Sequence, residues 1–264
     1  MKPLQTCCLG AAWCLFALAP TAAAADEWTS HYAAHTHAGQ AYRLMSPLEI
    51  EAGERYPVIV SLHGAGGRGS DNLRQLRKWN ERLAEPARRA AHPGYVLAPQ
   101  SEGQWNADHL AFLKEIIADL PAADLDRIYV LGHSMGGHGT YILLQLDPNY
   151  FAAAGASAGT GLATTEPFID ARLIKDIPIW AFHGDKDPTC PYEKGQELFA
   201  AMVSVGGNFK VTTWAGDKHG GPVAAKMITG SDNGSTQLAS ARVDPQPDFM
   251  TWLFAQTRAN QSQN

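Results

Sequence analysis

The sequence predicts an α/β fold, a mostly parallel sheet covered by helices on both faces. Three observations carry this. From Pro57 the chain runs Val-Ile-Val-Ser-Leu into His63-Gly64-Ala65-Gly66-Gly67, a continuous apolar strand that empties into a glycine loop, as a strand buried on both faces does. Beyond it, strand-like runs alternate with helix-like runs of about ten to fifteen residues, the spacing of parallel strands joined by crossover helices. Finally, the apolar run Arg127 to Leu131 turns at once through Gly132-His133-Ser134-Met135-Gly136 into a helical pattern.

Trp28 to His37 and Ala41 to Ser46 read as two strands joined at Ala38-Gly39-Gln40, a hairpin ending at Pro47. After the glycine loop, Asn72 to Ala90 is charged and alanine-rich with apolar Leu73, Leu76, Leu83 and Ala87. It reads as one helix, stopped by His92-Pro93-Gly94. Strands then follow at Tyr95 to Ala98, Arg127 to Leu131, Phe151 to Ser157, Ile177 to Phe182 and Phe209 to Trp214. Helices fall at Asp108 to Leu120, Met135 to Leu146 and Tyr192 to Val205. Gly230 to Pro247 is rich in Ser, Asn, Asp, Gly and Pro and reads as loop. A short amphipathic helix with Phe249, Trp252 and Leu253 follows and is expected to dock on the sheet. There is no internal repeat and no linker long enough to divide the chain.

Lys2, the apolar run Leu9 to Ala19, Pro20 and Ala23-Ala24-Ala25 form the pattern of a secretory signal peptide cut near Ala25. The expectation is residues 1–25 as signal and 26–264 as one catalytic domain, exported to the periplasm or secreted. The apolar core of the signal is shorter than the roughly twenty residues a membrane-spanning helix needs. Of four cysteines, Cys7, Cys8 and Cys14 would leave with the signal; Cys190 alone would remain, so no intramolecular disulfide is expected. With 26 acidic against 21 basic residues and no basic block, neither nucleic acid nor an anionic membrane is indicated as partner.

Gly132-His133-Ser134-Met135-Gly136 has the form G-x-S-x-G at a strand-to-helix junction, the context in which that motif presents a nucleophile. The glycines let strand and helix approach, and the N–H of Met135 opens a helix whose positive end favours a developing oxyanion. A second oxyanion donor is expected from the loop after the earlier strand, the N–H of Ala65. That loop lacks both the Lys-Ser/Thr ending of a P-loop and the G-x-G-x-x-G spacing of a dinucleotide fold. Serine also needs a base, and the base an acceptor to fix its tautomer. Of ten histidines, His133 should be turned away from Ser134 by strand alternation, and His138 should point into packing.

Chain order Ser, then acid, then His selects His219, the last histidine, in the loop Ala-Gly-Asp-Lys-His-Gly-Gly after strand Phe209 to Trp214. For the acid, His183-Gly184-Asp185-Lys186-Asp187-Pro188 offers two aspartates: Asp185 suits a turn, and Asp187 suits the triad. Asp217 stands too near His219 in sequence to hold it from behind. Cys190 has no elbow and reads as a small packed apolar residue. His31, His35 and His37 read as part of a solvated strand rather than a metal site, since no Cys, Asp or Glu is adjacent; neither metal nor cofactor is expected.

Tyr42-Arg43-Leu44, the run Tyr56 to Asn72, Leu97-Ala98-Pro99-Gln100 with Trp105, Arg127 to Val130 with Gly132 to Gly137, and His183 to Asp187 together resemble exported α/β-hydrolases of the polyhydroxybutyrate-depolymerase-like and predicted-peptidase group. The resemblance covers most of the chain up to about His219 and implies an α/β-hydrolase fold with a carboxylesterase activity, on short-chain, feruloyl, acetyl-sugar or polyester substrates. His138 stands where the group usually has an aromatic, and Cys190 where it often has valine. The short span between Ser157 and Ile177 leaves no room for a large lid domain, and Trp105 and Tyr192 are candidate pocket walls or, equally, ordinary core residues. A peptidase or amidase using the same triad, or an exported binding protein without chemistry, are the rival readings.

Overall fold

The computed structural model describes residues 27–160 and 169–261; the expected signal segment 1–25 and its expected cut near Ala25 lie outside the described residues. Nine strands form one sheet in the order β1-β2-β4-β3-β5-β6-β7-β8-β9. They are β1 (Ala33–His37), β2 (Gln40–Met45), β3 (Tyr56–Leu62), β4 (Tyr95–Pro99), β5 (Ala123–His133), β6 (Ala153–Ser157), β7 (Ile179–Gly184), β8 (Phe209–Trp214) and β9 (Gly234–Leu238). From β4 to β8 every neighbouring pair is parallel, while the pairs β1 with β2, β2 with β4 and β8 with β9 are antiparallel. The α/β class and its crossover pattern are as the sequence predicts.

The central strands read as apolar runs because both faces are covered. Val58, Val60, Leu62 and Val130 enter one buried cluster with Leu113 and Leu144, whereas Ile59, Tyr129 and Leu131 enter a second with Trp252 and Leu253. Alternate residues of one strand therefore feed two cores, as the period of a strand requires. The α-helices are α1 (Lys78–Leu83), α2 (Pro86–Ala91), α3 (Ala107–Ala118), α4 (Met135–Leu146), α5 (Ala171–Ile174), α6 (Tyr192–Ser204), α7 (Gly221–Thr229), α8 (Phe249–Ala255) and α9 (Arg258–Gln261). Among the described residues no helix is long and apolar enough to cross a membrane.

Three expectations are corrected, and one further helix is found. The single helix from Asn72 to Ala90 is two, because Pro86 lacks an N–H and excludes helical geometry in Glu85 before it, so α1 ends and α2 begins with Pro86 in its first turn. Trp28 to His31, read as strand, lies in the 3-10 turn Glu27–His31. Gly221 to Thr229 forms α7, opened by Pro222, and Gly234–Leu238 inside the presumed loop is an exposed edge strand paired with β8. Helix α8 docks as expected: Phe249 and Trp252 pack ring against ring on Trp180.

The same face holds a buried lysine. Lys210 Nζ donates to the carbonyls of Asp244 and Gln246 at 2.9 and 2.8 Å and lies 3.6 Å from the centre of the Trp180 ring. It fastens the segment before α8 to the sheet. Burial pushes its ammonium down to about 8, against Asp244 acting the other way. An unfolded lysine titrates near 10.4, so the unfolded chain binds the extra proton between those values. Lys210 thus contributes stability above pH ~10.4 that is lost as pH falls toward 8. The melting temperature of the wild type relative to Lys210→Met should rise between pH 8 and 10; a pH-independent difference would refute the assignment.

Candidate active site

Ser134 sits between β5 and α4 with φ 59° and ψ −124°, a left-handed conformation unusual for a residue with a side chain. Its flanking glycines are dictated by contact. A methyl group on Gly136 would overlap the carbonyl of Leu62 in β3, and one on Gly132 would overlap the carbonyl of Gly136. The turn is further pinned by Ser134 N–H donating to Ser157 O at 2.9 Å and by His138 N–H donating to Ser134 O at 2.9 Å.

The three residues expected to form a triad come together. His219 Nδ1 lies 2.7 Å from Asp187 Oδ2, and its Nε2 lies 2.9 Å from Ser134 Oγ. A carboxylate only accepts, so Nδ1 carries the proton and Nε2 presents its lone pair to the serine hydroxyl. Asp187 is buried, and burial raises its pKa. Hydrogen bonds from His183, His219 and the N–H groups of Cys190 and Thr189 outweigh that and hold the carboxyl far below the usual range. Both N–H groups bind Oδ1, at 2.9 and 2.8 Å, leaving Oδ2 for His219.

The neighbouring aspartates have other tasks. Asp185 Oδ1 accepts from Gly216 N–H at 2.7 Å, and Asp217 pairs with Lys226 of α7. Both bind the loop that carries His219.

The expected oxyanion donors flank the serine. Met135 opens α4, where backbone N–H groups have no partner within the helix. Ala65 begins a 3-10 turn directly after Gly64, and a methyl group on Gly64 would come within 3.3 Å of Ser134 Cβ. Arg68 ties the two together, its Nε 3.2 Å from Met135 Sδ. A residue not singled out from sequence anchors this loop: His63 Nδ1 donates to Gly64 O at 2.7 Å while its Nε2 accepts from Ser101 N–H at 3.0 Å. Both nitrogens are committed to the neutral ring, and burial pushes the pKa down to about 4. Its position just before the glycine run was the available signal.

Trp105 belongs to this support rather than to an open pocket wall. It is 3% exposed, packs over Gly139 and donates from Nε1 to His63 O at 3.2 Å. Tyr192 stands at the acid loop, its hydroxyl 2.8 Å from Thr213 Oγ1 and its ring edge-on to His183. His138 is buried in α4, as expected. The His133 ring packs 4.8 Å from that of His219 and its Nδ1 lies 3.0 Å from Ser157 Oγ, neighbours that strand alternation does not reveal. Burial, then the adjacent His219, push its pKa down to about 3, so a neutral ring backs His219. His37 also gains a carboxylate the sequence did not show, Glu115 Oε2 of α3 at 2.8 Å.

A strand-to-helix elbow bearing a serine, linked through an imidazole to a buried carboxylate, at the carboxyl ends of parallel strands, defines the α/β-hydrolase class. The dienelactone hydrolase family is matched over residues 97–243, more than half of the chain, and the chain belongs to that family. A Nocardia uniformis subsp. tsuyamanensis protein named "Putative esterase NocK" is 28% identical over 170 residues, which cover 58% of this chain and 47% of that one. The crystal structure of a thermostable esterase superposes with a TM-score of 0.68 at 29% identity, covering 87% of this chain and 64% of that one. This chain thus spans less than two thirds of either relative. Pyrococcus horikoshii acylaminoacyl peptidase, at 16% identity and a TM-score of 0.54 over 74% of this chain and 38% of its own, shares the fold alone.

The elbow geometry yields a stability prediction. Gly136→Ala should cost about 3 kcal/mol or more, because the new methyl meets backbone rather than a side chain able to move. Gly103→Ala, with nothing within 4 Å of the added carbon, should stay within about 0.5 kcal/mol of wild type. Denaturant unfolding of both variants measures the contrast.

Proposed function

We propose that this chain is a serine carboxylesterase acting through an acyl-enzyme. The observation that carries the reading is the continuous relay from Ser134 Oγ through His219 to Asp187, at 2.9 and 2.7 Å. Ser134 Oγ attacks the ester carbonyl as its proton passes to His219 Nε2. Asp187, already holding Nδ1–H, stabilises the imidazolium. The N–H groups of Met135 and Ala65 bind the oxyanion, and His219 returns the proton to the leaving alcohol. Water then repeats the sequence, its proton taken by His219 and the acyl group released as acid.

Ester rather than amide chemistry is supported by the family and by the two esterase relatives. The reading includes export of the chain, which rests on the signal pattern of residues 1–25, and it makes a small or polymeric ester the substrate.

With p-nitrophenyl acetate or butyrate, Ser134→Ala should lower kcat by about 10⁴ or more while leaving the melting temperature close to wild type. Asp187→Asn should lower kcat by on the order of 10³ to 10⁴ with KM little changed, because the amide no longer enforces the Nδ1–H tautomer. Turnover by Ser134→Ala equal to wild type would reject the reading. Matched anilides of the same acyl groups, hydrolysed faster than the esters, would reject ester preference. Short-chain, feruloyl, acetyl-sugar and polyhydroxybutyrate substrates, compared by kcat/KM, assign the acyl group.

A further inference from the structure

The acid loop brings to the triad a group that ester hydrolysis does not use. Cys190 is fully buried, its N–H donating to Asp187 Oδ1 at 2.9 Å and its carbonyl accepting from His183 Nε2 at 2.9 Å. Those two bonds fix its backbone. Cys190 Sγ, a carboxylate oxygen of Asp187 and a ring nitrogen of His219 all lie within 4.8 Å of one another. Among the described residues this is the one group of three such side chains close enough to share an ion.

Thiolate, imidazole and carboxylate make up the donor set of a thiophilic divalent cation, with bonds of about 2.0 to 2.3 Å. Ligand atoms on one tetrahedral ion stand roughly 3.3 to 3.8 Å apart, so closing the set brings Cys190 Sγ inward by up to about an ångström and, where Nδ1 is the ligand, opens the 2.7 Å contact of His219 with Asp187. Burial and the Asp187 charge push the thiol up to about 12, which removes it as a nucleophile near neutral pH. Metal capture is a different step: the S–H bond breaks, the sulfur–metal bond forms and the proton leaves to solvent.

We propose that Cys190, His219 and Asp187 form a capture site for a thiophilic divalent cation, zinc being the model ion, whose occupancy switches hydrolysis off. The switching half rests on the esterase reading above; the binding half does not. An ion on His219 Nε2 takes the lone pair that accepts the Ser134 proton. On Nδ1 it displaces the proton shared with Asp187, which is released to solvent. Either way the base is disabled while the fold is retained.

The test is zinc chloride titrated against p-nitrophenyl acetate hydrolysis in a non-chelating buffer, each variant normalised to its own zinc-free rate. Wild type should be inhibited by micromolar zinc and restored by EDTA. Cys190→Ala and Cys190→Val should each need at least about tenfold more zinc. In parallel, cobalt(II) added to folded Ser134→Ala protein should give a near-ultraviolet thiolate-to-cobalt charge-transfer band that is lost in Ser134→Ala/Cys190→Val. Zinc inhibition of equal strength in wild type and both Cys190 variants, or a folded Ser134→Ala protein with no thiolate band, would overturn the proposal. If the wild type hydrolyses no ester, the esterase reading falls, and the cobalt band still decides whether the site binds metal.

Discussion

The site depends on a backbone conformation that the serine would not choose. A left-handed residue with a side chain costs on the order of 1 to 3 kcal/mol and persists only where its surroundings over-determine it. Here three strands supply that determination. β5 delivers the residue, the carbonyl of Leu62 at the end of β3 leaves no room for anything larger than glycine at 136, and Ser157 at the end of β6 accepts the serine N–H. Parallel order β3-β5-β6 brings those three carboxyl ends side by side. Sheet topology is thus a condition for the placement of Ser134 as well as a scaffold beneath it.

The imidazoles around the relay are sorted by their hydrogen bonds. His63 is locked neutral because one nitrogen donates to a carbonyl and the other accepts from an N–H. His133 is held neutral by burial beside His219, and His183 must carry its proton on Nε2 to serve the Cys190 carbonyl. Only His219 pairs a donor to Asp187 with an acceptor aimed at a hydroxyl. Four rings of the same chemistry therefore separate into one that links a hydroxyl to a carboxylate and three supports, and the separation is made by their partners rather than by residue type.

How much of this was legible in the sequence follows range. The elbow, its glycines and the helix Met135–Leu146 were readable because strand, turn and helix are contiguous and the steric demand is local. Ser134, Asp187 and His219 were readable through chain order, which reflects the order of strands. The break at Pro86 is a local rule that the apolar spacing of Asn72 to Ala90 overshadowed. α7 was hidden by the glycines and proline that open it, and β9 by composition that suits an exposed edge. The packing of His133 on His219, the approach of Cys190 to His219 and the pairing of His37 with Glu115 arise only when distant segments meet, and no spacing encodes them.

The placement of His219 shows why two further aspartates flank the acid. Its loop leaves β8 at Trp214, and the loop carrying Asp187 leaves β7 at Gly184, the residue registered opposite Trp214. Between them, Asp185 N–H donates to Trp214 O, Asp185 Oδ1 accepts from Gly216 N–H, and Lys186 N–H donates to Asp217 O. A methyl group on Gly184 would collide with that same Asp217 carbonyl, so the loops lie in backbone contact. Asp217 then pairs with Lys226, extending the clasp to α7. The 2.7 Å contact of His219 with Asp187 is consequently not asked to hold two free loops together. Backbone bonds set the separation, and the charge of Asp187 remains available to stabilise a cation on His219, which is why Asp185 and Asp217 accompany the acid without replacing it.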